Sequence, residues 1–129
     1  MLVNVINYDH EEHEYLLEFI AAKNGITSNG IIPSKIGFIG IVDNYPIAFG
    51  FLRDVDGQYG IIEGIMTDPD RSPARRHHAL SAVINFLIDE SKSLKHKLIL
   101  AWTKEESILK RADDLGFNIL QEHKLITLL

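Results

Sequence analysis

The chain has 129 residues, which is long enough for a hydrophobic core, and we expect residues 1–129 to form one domain. Apolar residues make up 46% of it and charged residues 24%, as in ordinary soluble proteins, and the formal net charge of −5 argues against a general nucleic-acid binder. Because it has no cysteine, no secretory-type first segment and no apolar run long enough for a membrane, we expect a cytoplasmic protein without disulfides, thiolate catalysis or membrane contact.

The first half of the chain predicts one strand, one helix and then three strands in succession. Leu2–Ile6 has the composition of a strand. Asp9 is a helix N-cap, with Glu12 three residues later as its capping partner. A buried stripe on this helix is predicted from Tyr15, Leu16, Phe19 and Ile20. Turn residues then separate the three strands, which are Ile36–Val42, Ile47–Arg53 and Tyr59–Thr67.

The second half predicts two helices and three strands. Ser72 and Pro73 open a helix that runs to Ser91, and Lys97–Trp102 is a buried strand. Thr103 and Glu106 form a capping box for a helix that stops at Gly116, before strands at Phe117–Leu120 and Lys124–Leu128. The predicted order is β-α-β-β-β-α-β-α-β-β, an α/β (α+β) fold with a mixed sheet and a central strand-helix-strand crossover. The apolar end, LITLL, is a candidate edge for a homodimer.

The most informative stretch is the start of the second predicted helix. Five residues in and just before its first turns are basic or can become so, namely Arg71, Arg75, Arg76, His77 and His78. A helix start already carries partial positive charge, so this cluster is unfavourable without an anion nearby. In an acidic chain it favours a small phosphate-bearing ligand over a nucleic-acid surface. The alternative is a solvated surface that pairs with Asp68 and Asp70.

The element order, with Thr67-Asp68-Pro69 after the fourth strand and the segment ILKRADDLGF at Ile108–Phe117, resembles the GNAT superfamily of acyl-CoA-dependent N-acyltransferases. The resemblance covers nearly the whole chain. It implies a GNAT fold with a mostly antiparallel sheet of about six or seven strands flanked by helices. It also implies acetyl-CoA or CoA as co-substrate, an amine acceptor and no metal. In that family the fourth strand splays from the fifth and its backbone binds the pantetheine arm, at positions that here hold Ile65, Met66 and Thr67.

The family's pyrophosphate loop falls on residues 75–80, where this chain departs from the pattern. Arg75 matches, but the three glycine positions hold Arg76, His78 and Leu80. Glycine lets backbone amides approach phosphates closely, so here the basic side chains from Arg71 to His78 would bind the pyrophosphate instead. The family's thiolate-protonating Tyr is replaced by Ala112, and its Asn by Glu105, which becomes a further cofactor-binding candidate. Water, Tyr45 or Tyr59 would then protonate the departing thiolate.

Glu63 lies in the middle of the fourth predicted strand, where the family often places a carboxylate that deprotonates the amine. An alkylamine with a pKa near about 10 has to lose a proton before it attacks a thioester. Glu63 is therefore the candidate general base. The alternative is an exposed strand residue that pairs with Arg53.

The leading functional hypothesis is direct acyl transfer to an amine of a small molecule or protein, without a covalent enzyme intermediate. Two alternatives stay open: a GNAT-fold binding or interaction protein that has lost catalysis, and a phosphometabolite-binding module that uses the arginines without CoA. His10 and His13 do not match the H-E-x-x-H pattern and have no defined third ligand, so we predict exposed helix residues there and no metal site.

Overall fold

The protein folds around one seven-stranded sheet, ordered β1-β2-β3-β4-β5-β7-β6, in a computed structural model. The structure describes residues 1–27, 33–102, 110, 113, 114, 116, 118–120 and 125–128. Its strands are β1 (Val3–Asn7), β2 (Ile36–Val42), β3 (Tyr45–Val55), β4 (Tyr59–Thr67), β5 (Leu98–Trp102), β6 (Asn118–Leu120) and β7 (Leu125–Leu128), and its two long helices are α1 (His10–Lys23) and α2 (Pro73–Ser93). All described strand pairs are antiparallel except β4 with β5, which confirms the predicted mixed, mostly antiparallel sheet.

Most of the predicted third helix, including its capping box, lies outside the described residues. Lys110, Asp113 and Asp114 are helical, in agreement with that prediction where it can be compared. None of the helices among the described residues is long and apolar enough to cross a bilayer.

α1 begins at the predicted N-cap, but a different residue completes the cap. The Asp9 side chain accepts a hydrogen bond from the N–H of Glu11, and the Asp9 N–H donates to Nδ1 of His13 at 2.8 Å. The predicted partner, Glu12, was therefore wrong, because His13 reaches the free backbone N–H instead. Acidic residues in the first turn and Lys23 in the last turn complement the helix dipole.

The buried face of α1 also differs from the predicted one. Tyr15 and Phe19 are 68% and 60% exposed, while Leu17, Ile20 and Ala21 are buried. The sheet already presents large side chains to α1, including Phe49 and Phe51, and these form one core with the three buried helix residues. A helix that faces such a surface with aliphatic and small side chains packs closely, so its two aromatic residues turn outward.

The turn between β2 and β3 is shorter than the predicted four residues. Val42 pairs with Tyr45, so the turn contains Asp43 and Asn44 alone, with φ values of 50° and 70°. Two left-handed residues in a two-residue loop are typical of a type I′ hairpin, and Asp and Asn tolerate that conformation. β3 therefore starts earlier than predicted, at Tyr45.

α2 packs on the sheet face opposite α1. Ser72 caps its N-terminus by accepting from the N–H of Arg75, and Pro73 occupies the first turn as predicted. Its buried residues, such as Val83 and Leu87, form the second core with Ala48, Leu52 and Ile62 of the sheet. The central strands are thus covered on both faces, and β4 lies between two packed cores.

The crossover from α2 into β5 is anchored by two consecutive contacts among three side chains. Oγ of Ser91 lies 2.6 Å from Nδ1 of His96, and Nε2 of His96 contacts the Asp54 carboxylate. Ser91 and the His96 side chain are fully buried. A Cβ on Gly60 would come within 2.5 Å of Ser91 Oγ and 2.7 Å of His96 Nδ1, so glycine makes room for this contact at the start of the β4–β5 pair.

β7 lies inside the sheet, because Leu125–Thr127 pairs with both β5 and β6. The suggestion that the LITLL end forms a dimer edge was therefore wrong. β1 and β6 are the edge strands of this sheet.

Candidate active site

β4 and β5 run together for four residue pairs and then separate. The pairs run from Tyr59 with Leu98 to Ile62 with Ala101. Beyond Ile62, β4 continues to Thr67 and pairs with β3, but no pairing with β5 occurs among the described residues. One edge of Glu63–Thr67 therefore has no strand partner among the described residues. This open edge runs from the end of the β4–β5 ladder to the loop that leads to α2.

A bulge in β4 marks the point of separation. Phe51 pairs with Glu63 and Phe49 pairs with Met66, so Gly50 faces two residues, Gly64 and Ile65. Gly64 has a φ of +63°, and a Cβ there would lie 2.7 Å from the ring of Phe51. Glycine is thus required for both conformation and space. A bulge bends its strand and strengthens the local twist, so β4 changes direction next to the last residue that pairs with β5.

Glu63 is the first residue of the open part of β4, and its carboxylate is held by two side chains. Nη2 of Arg53 lies 2.7 Å from Oε1 of Glu63, and Oγ of Ser34 donates to the same oxygen at 2.6 Å. The Glu63 side chain is 33% exposed. The pairing with Arg53 that sequence analysis considered is present. It leaves a carboxylate that is ordered and still accessible to solvent.

The loop after β4 is organised around Asp68, which is 2% exposed. Its carboxylate accepts from Nζ of Lys23 at 3.1 Å and from the N–H of Asp70 at 3.0 Å, and Nε of Arg71 lies at 3.5 Å. Burial raises the pKa of Asp68, but the Asp70 N–H, the Lys23 ammonium and Arg71 outweigh it and lower the pKa below its ordinary value. This network ties the end of α1 to the β4–α2 loop.

The three arginines at the start of α2 point to different partners. Arg71 stacks on Tyr45, with 4.3 Å from its guanidinium carbon to the ring centroid. Nη2 of Arg75 pairs with the Asp43 carboxylate at 3.2 Å, and Nε of Arg76 donates to Oγ1 of Thr67 at 3.0 Å. The predicted pairing with acidic residues is thus present for Arg71 with Asp68, whereas Arg75 reaches the β2–β3 turn. Asp43 also accepts from the N–H of Leu2, and this bond and Arg75 lower the pKa of Asp43.

The side chains of the predicted pantetheine strand are engaged in packing. Met66 is buried in the core under α1, and Ile65 packs against the core under α2. Thr67 binds Arg76 through its side chain. The side chains of all three residues are therefore engaged within the protein. His77 and His78 stack edge to face on the first turns of α2, 5.6 Å between ring centroids.

Several predicted residues lie elsewhere or outside the described residues. Glu105 and Ala112 are outside them. Tyr59 lies at the paired end of β4, away from the open segment, and Tyr45 lies against Arg71. His10 contacts Tyr8 and Glu14, and within residues 1–27 and the other described parts no cluster of three metal-ligating side chains occurs.

Sequence reasoning missed three side chains around the site. These are Lys23, Asn24 and Ser34, to which the sequence analysis gave no role. Asn24 in fact donates to the carbonyl of Thr67 at 3.0 Å. All three act on residues more than 25 positions away in the chain, so local patterns contained no signal for them.

No protein-family model matches the sequence, and no curated protein matches it significantly. Solved structures do match it. A GNAT-family acetyltransferase from Staphylococcus aureus Mu50 aligns with a TM-score of 0.70 at 16% identity over 98% of each chain. The ribosomal-protein-S18-alanine N-acetyltransferase from Escherichia coli aligns with a TM-score of 0.64 at 15% identity, over 98% of this chain and 90% of that one. The chain has the GNAT fold.

One of the matching structures contains a bound coenzyme. N-acetylglutamate synthase from Neisseria gonorrhoeae, complexed with coenzyme A and N-acetyl-glutamate, aligns with a TM-score of 0.65 at 12% identity over 98% of this chain and 34% of that chain. At such identities the likeness establishes the fold. The chemistry of this GNAT-fold chain has to be argued from its own residues.

Proposed function

We propose that this protein is an acyl-CoA-dependent N-acyltransferase, with acetyl-CoA as donor and an amine of a small molecule or protein as acceptor. The observation that carries this proposal is the open edge of β4 from Glu63 to Thr67, next to a basic helix start. Unpaired strand backbone is a ready partner for the amide groups of an extended ligand. The GNAT fold of the chain supports the same reading.

The backbone of Ile65, Met66 and Thr67 would hold the pantetheine arm, and the thioester would supply an activated acyl group when bound. Glu63 would take the proton from the amine, because it is the ordered carboxylate at the start of the open segment. Direct transfer between two bound reactants suits a chain without cysteine, and positioning them together supplies much of the rate.

The basic residues at the start of α2 would bind the pyrophosphate. Nε of Arg71 is buried beside the Asp68 carboxylate, whereas the Arg71 side chain as a whole is 37% exposed, so the outer part of its guanidinium would be the group that reaches an anion. Arg75 and Arg76 already contact Asp43 and Thr67, and a phosphate would have to share or displace these contacts. Together with His77 and His78, these groups make up the proposed phosphate site.

The second candidate is a GNAT-fold binding protein without catalysis, which binds CoA weakly or not at all. The observation that favours it is the commitment of Arg75 and Arg76 to protein partners, in a loop without glycine. A preformed nest of backbone amides would bind phosphate without such competition.

A titration with CoA and acetyl-CoA separates the two candidates. Thermal unfolding and calorimetry would measure binding, and release of free CoA thiol with a panel of amines would measure turnover. Binding with turnover supports the enzyme, and binding without turnover supports the catalytically inactive protein. Pantetheine alone is the matched control: if it stabilises the protein as much as CoA does, the phosphate site is wrong.

A further inference from the structure

We infer that Arg53 and Ser34 are positioning residues, which hold Glu63 in one orientation so that a single carboxylate oxygen is left to take the proton. This inference rests on the proposed function. Its basis is that both described contacts of the carboxylate converge on the same atom, Oε1.

The geometry of this contact differs from an ordinary surface ion pair. An arginine that binds a carboxylate side by side uses both oxygens and leaves neither with full capacity. Here Nη2 of Arg53 and Oγ of Ser34 lie 2.7 Å and 2.6 Å from Oε1. No described residue donates a hydrogen bond to Oε2. A proton therefore adds most readily to Oε2, because Oε1 already accepts from Ser34 and lies closest to the Arg53 guanidinium.

The two holding residues come from different elements, which makes the orientation a property of the fold. Arg53 lies on β3, opposite Ile61, and reaches diagonally along the sheet to Glu63. Ser34 precedes β2. The Arg53 side chain is 46% exposed, so its ion pair adds little to stability. Holding the base in a productive orientation gives the contact a role that stability does not explain.

The test measures acyl transfer to two kinds of acceptor. An alkylamine is protonated at neutral pH and has to lose that proton before it attacks, whereas an aromatic amine is already neutral and loses its proton only after the C–N bond forms. Arg53→Met should lower kcat for the alkylamine by about tenfold to a hundredfold, the size expected for a misplaced catalytic group. It should lower the rate with the aromatic amine much less, and it should leave the affinity for CoA nearly unchanged. Ser34→Ala should show a smaller loss of the same kind, and Arg53→Lys should recover part of the rate.

A double variant and a charge-matched control complete the design. Arg53→Met combined with Glu63→Gln should lose no more rate than Glu63→Gln alone, because both changes act through one carboxylate. Lys92→Met removes one positive charge from the exposed end of α2 and should keep the wild-type rates. Calorimetry with CoA checks that each variant retains the fold.

The possible failures are distinguishable. If Glu63→Gln lowers the alkylamine rate while Arg53→Met does not, the positioning role is wrong and the proposed function stands. Equal losses with both acceptors also overturn the positioning role, because they indicate a structural effect. A wild type that is inert with all acceptors overturns the proposed function and this inference with it.

Discussion

The two halves of β4 share one strand but have opposite roles. Tyr59–Ile62 pairs with β3 on one side and with β5 on the other, under the buried contact of Ser91 with His96. Glu63–Thr67 pairs with β3 and, among the described residues, leaves its other edge open. The closed half is a scaffold and the open half is the candidate site. The bulge at Gly64 lies at the boundary between the two halves, and the anchor that joins α2 to the start of β5 lies at the closed half.

The largest expected effect comes from a change in the open half. Glu63→Gln should lower acyl transfer to an alkylamine by about 10²- to 10⁴-fold, the usual contribution of a general base. CoA affinity, measured by calorimetry, should stay the same, because Glu63 handles a proton and not a phosphate. Asp89→Asn is the control, because it removes the same charge at an exposed position of α2. Equal losses in binding and rate, or no loss in either, would remove Glu63 from the mechanism.

In the closed half, Gly60→Ala should act on stability. The new Cβ would meet Ser91 and His96 at 2.5 Å and 2.7 Å, in a buried contact that has no space to yield. We expect the free energy of unfolding in urea to fall by about 3 kcal/mol, from overpacking and from the disturbed hydrogen bonds. If the free energy of unfolding falls no more than it does for an ordinary surface substitution, the anchor is not rigid.

Gly64→Ala tests the bulge that separates the halves. It combines a left-handed backbone, φ +63°, with a contact of 2.7 Å to Phe51. We expect a loss of about 2 kcal/mol in urea unfolding, together with weaker CoA binding, since the bulge shapes the open edge. Gly57→Ala is the matched control, because Gly57 has a φ of +68° and open space around its Cβ position. If both variants lose the same stability, the Phe51 contact contributes nothing.

Asp68→Asn tests the connection between the open end of β4 and α1. Because its pKa is lowered in the folded protein, Asp68 stabilises the fold above its unfolded pKa of about 3.9, and this stabilisation is lost as the pH falls through the folded value. The variant should lose about 1.5 kcal/mol at pH 7 and less at pH 3, which lies below the unfolded pKa. Urea unfolding at both pH values gives the comparison, and an equal loss at the two would exclude the charged network as the cause.

The smallest expected effects concern the phosphate site beside the open half. Arg75→Ala and Arg76→Ala should each weaken CoA binding by several-fold, about 1 kcal/mol, with a wild-type affinity that falls as salt rises. Pantetheine should not respond to either change. Unaltered CoA binding in both variants would assign these arginines to their protein partners, Asp43 and Thr67, alone.

Element order and the helix caps followed from local pattern, but orientations did not. Asp9, Ser72 and Pro73 act as predicted because caps depend on neighbours within one turn. The buried face of α1 was assigned only in part: Ile20 is buried as predicted, but Tyr15 and Phe19 are exposed, because the choice among residues with large apolar side chains depends on the sheet opposite. For the site, Glu63 and Arg53 could be paired from adjacent predicted strands, whereas Ser34 could not.

The sequence by itself determined the strand and helix order, the basic start of α2 and the GNAT resemblance, because periodicity, caps and turn residues act over a few positions. Only the tertiary structure decided where β4 leaves β5, which oxygen of Glu63 is held and which partners the arginines take. These features join residues that are distant in the chain, and their energies depend on distances of a few ångströms that local pattern does not encode.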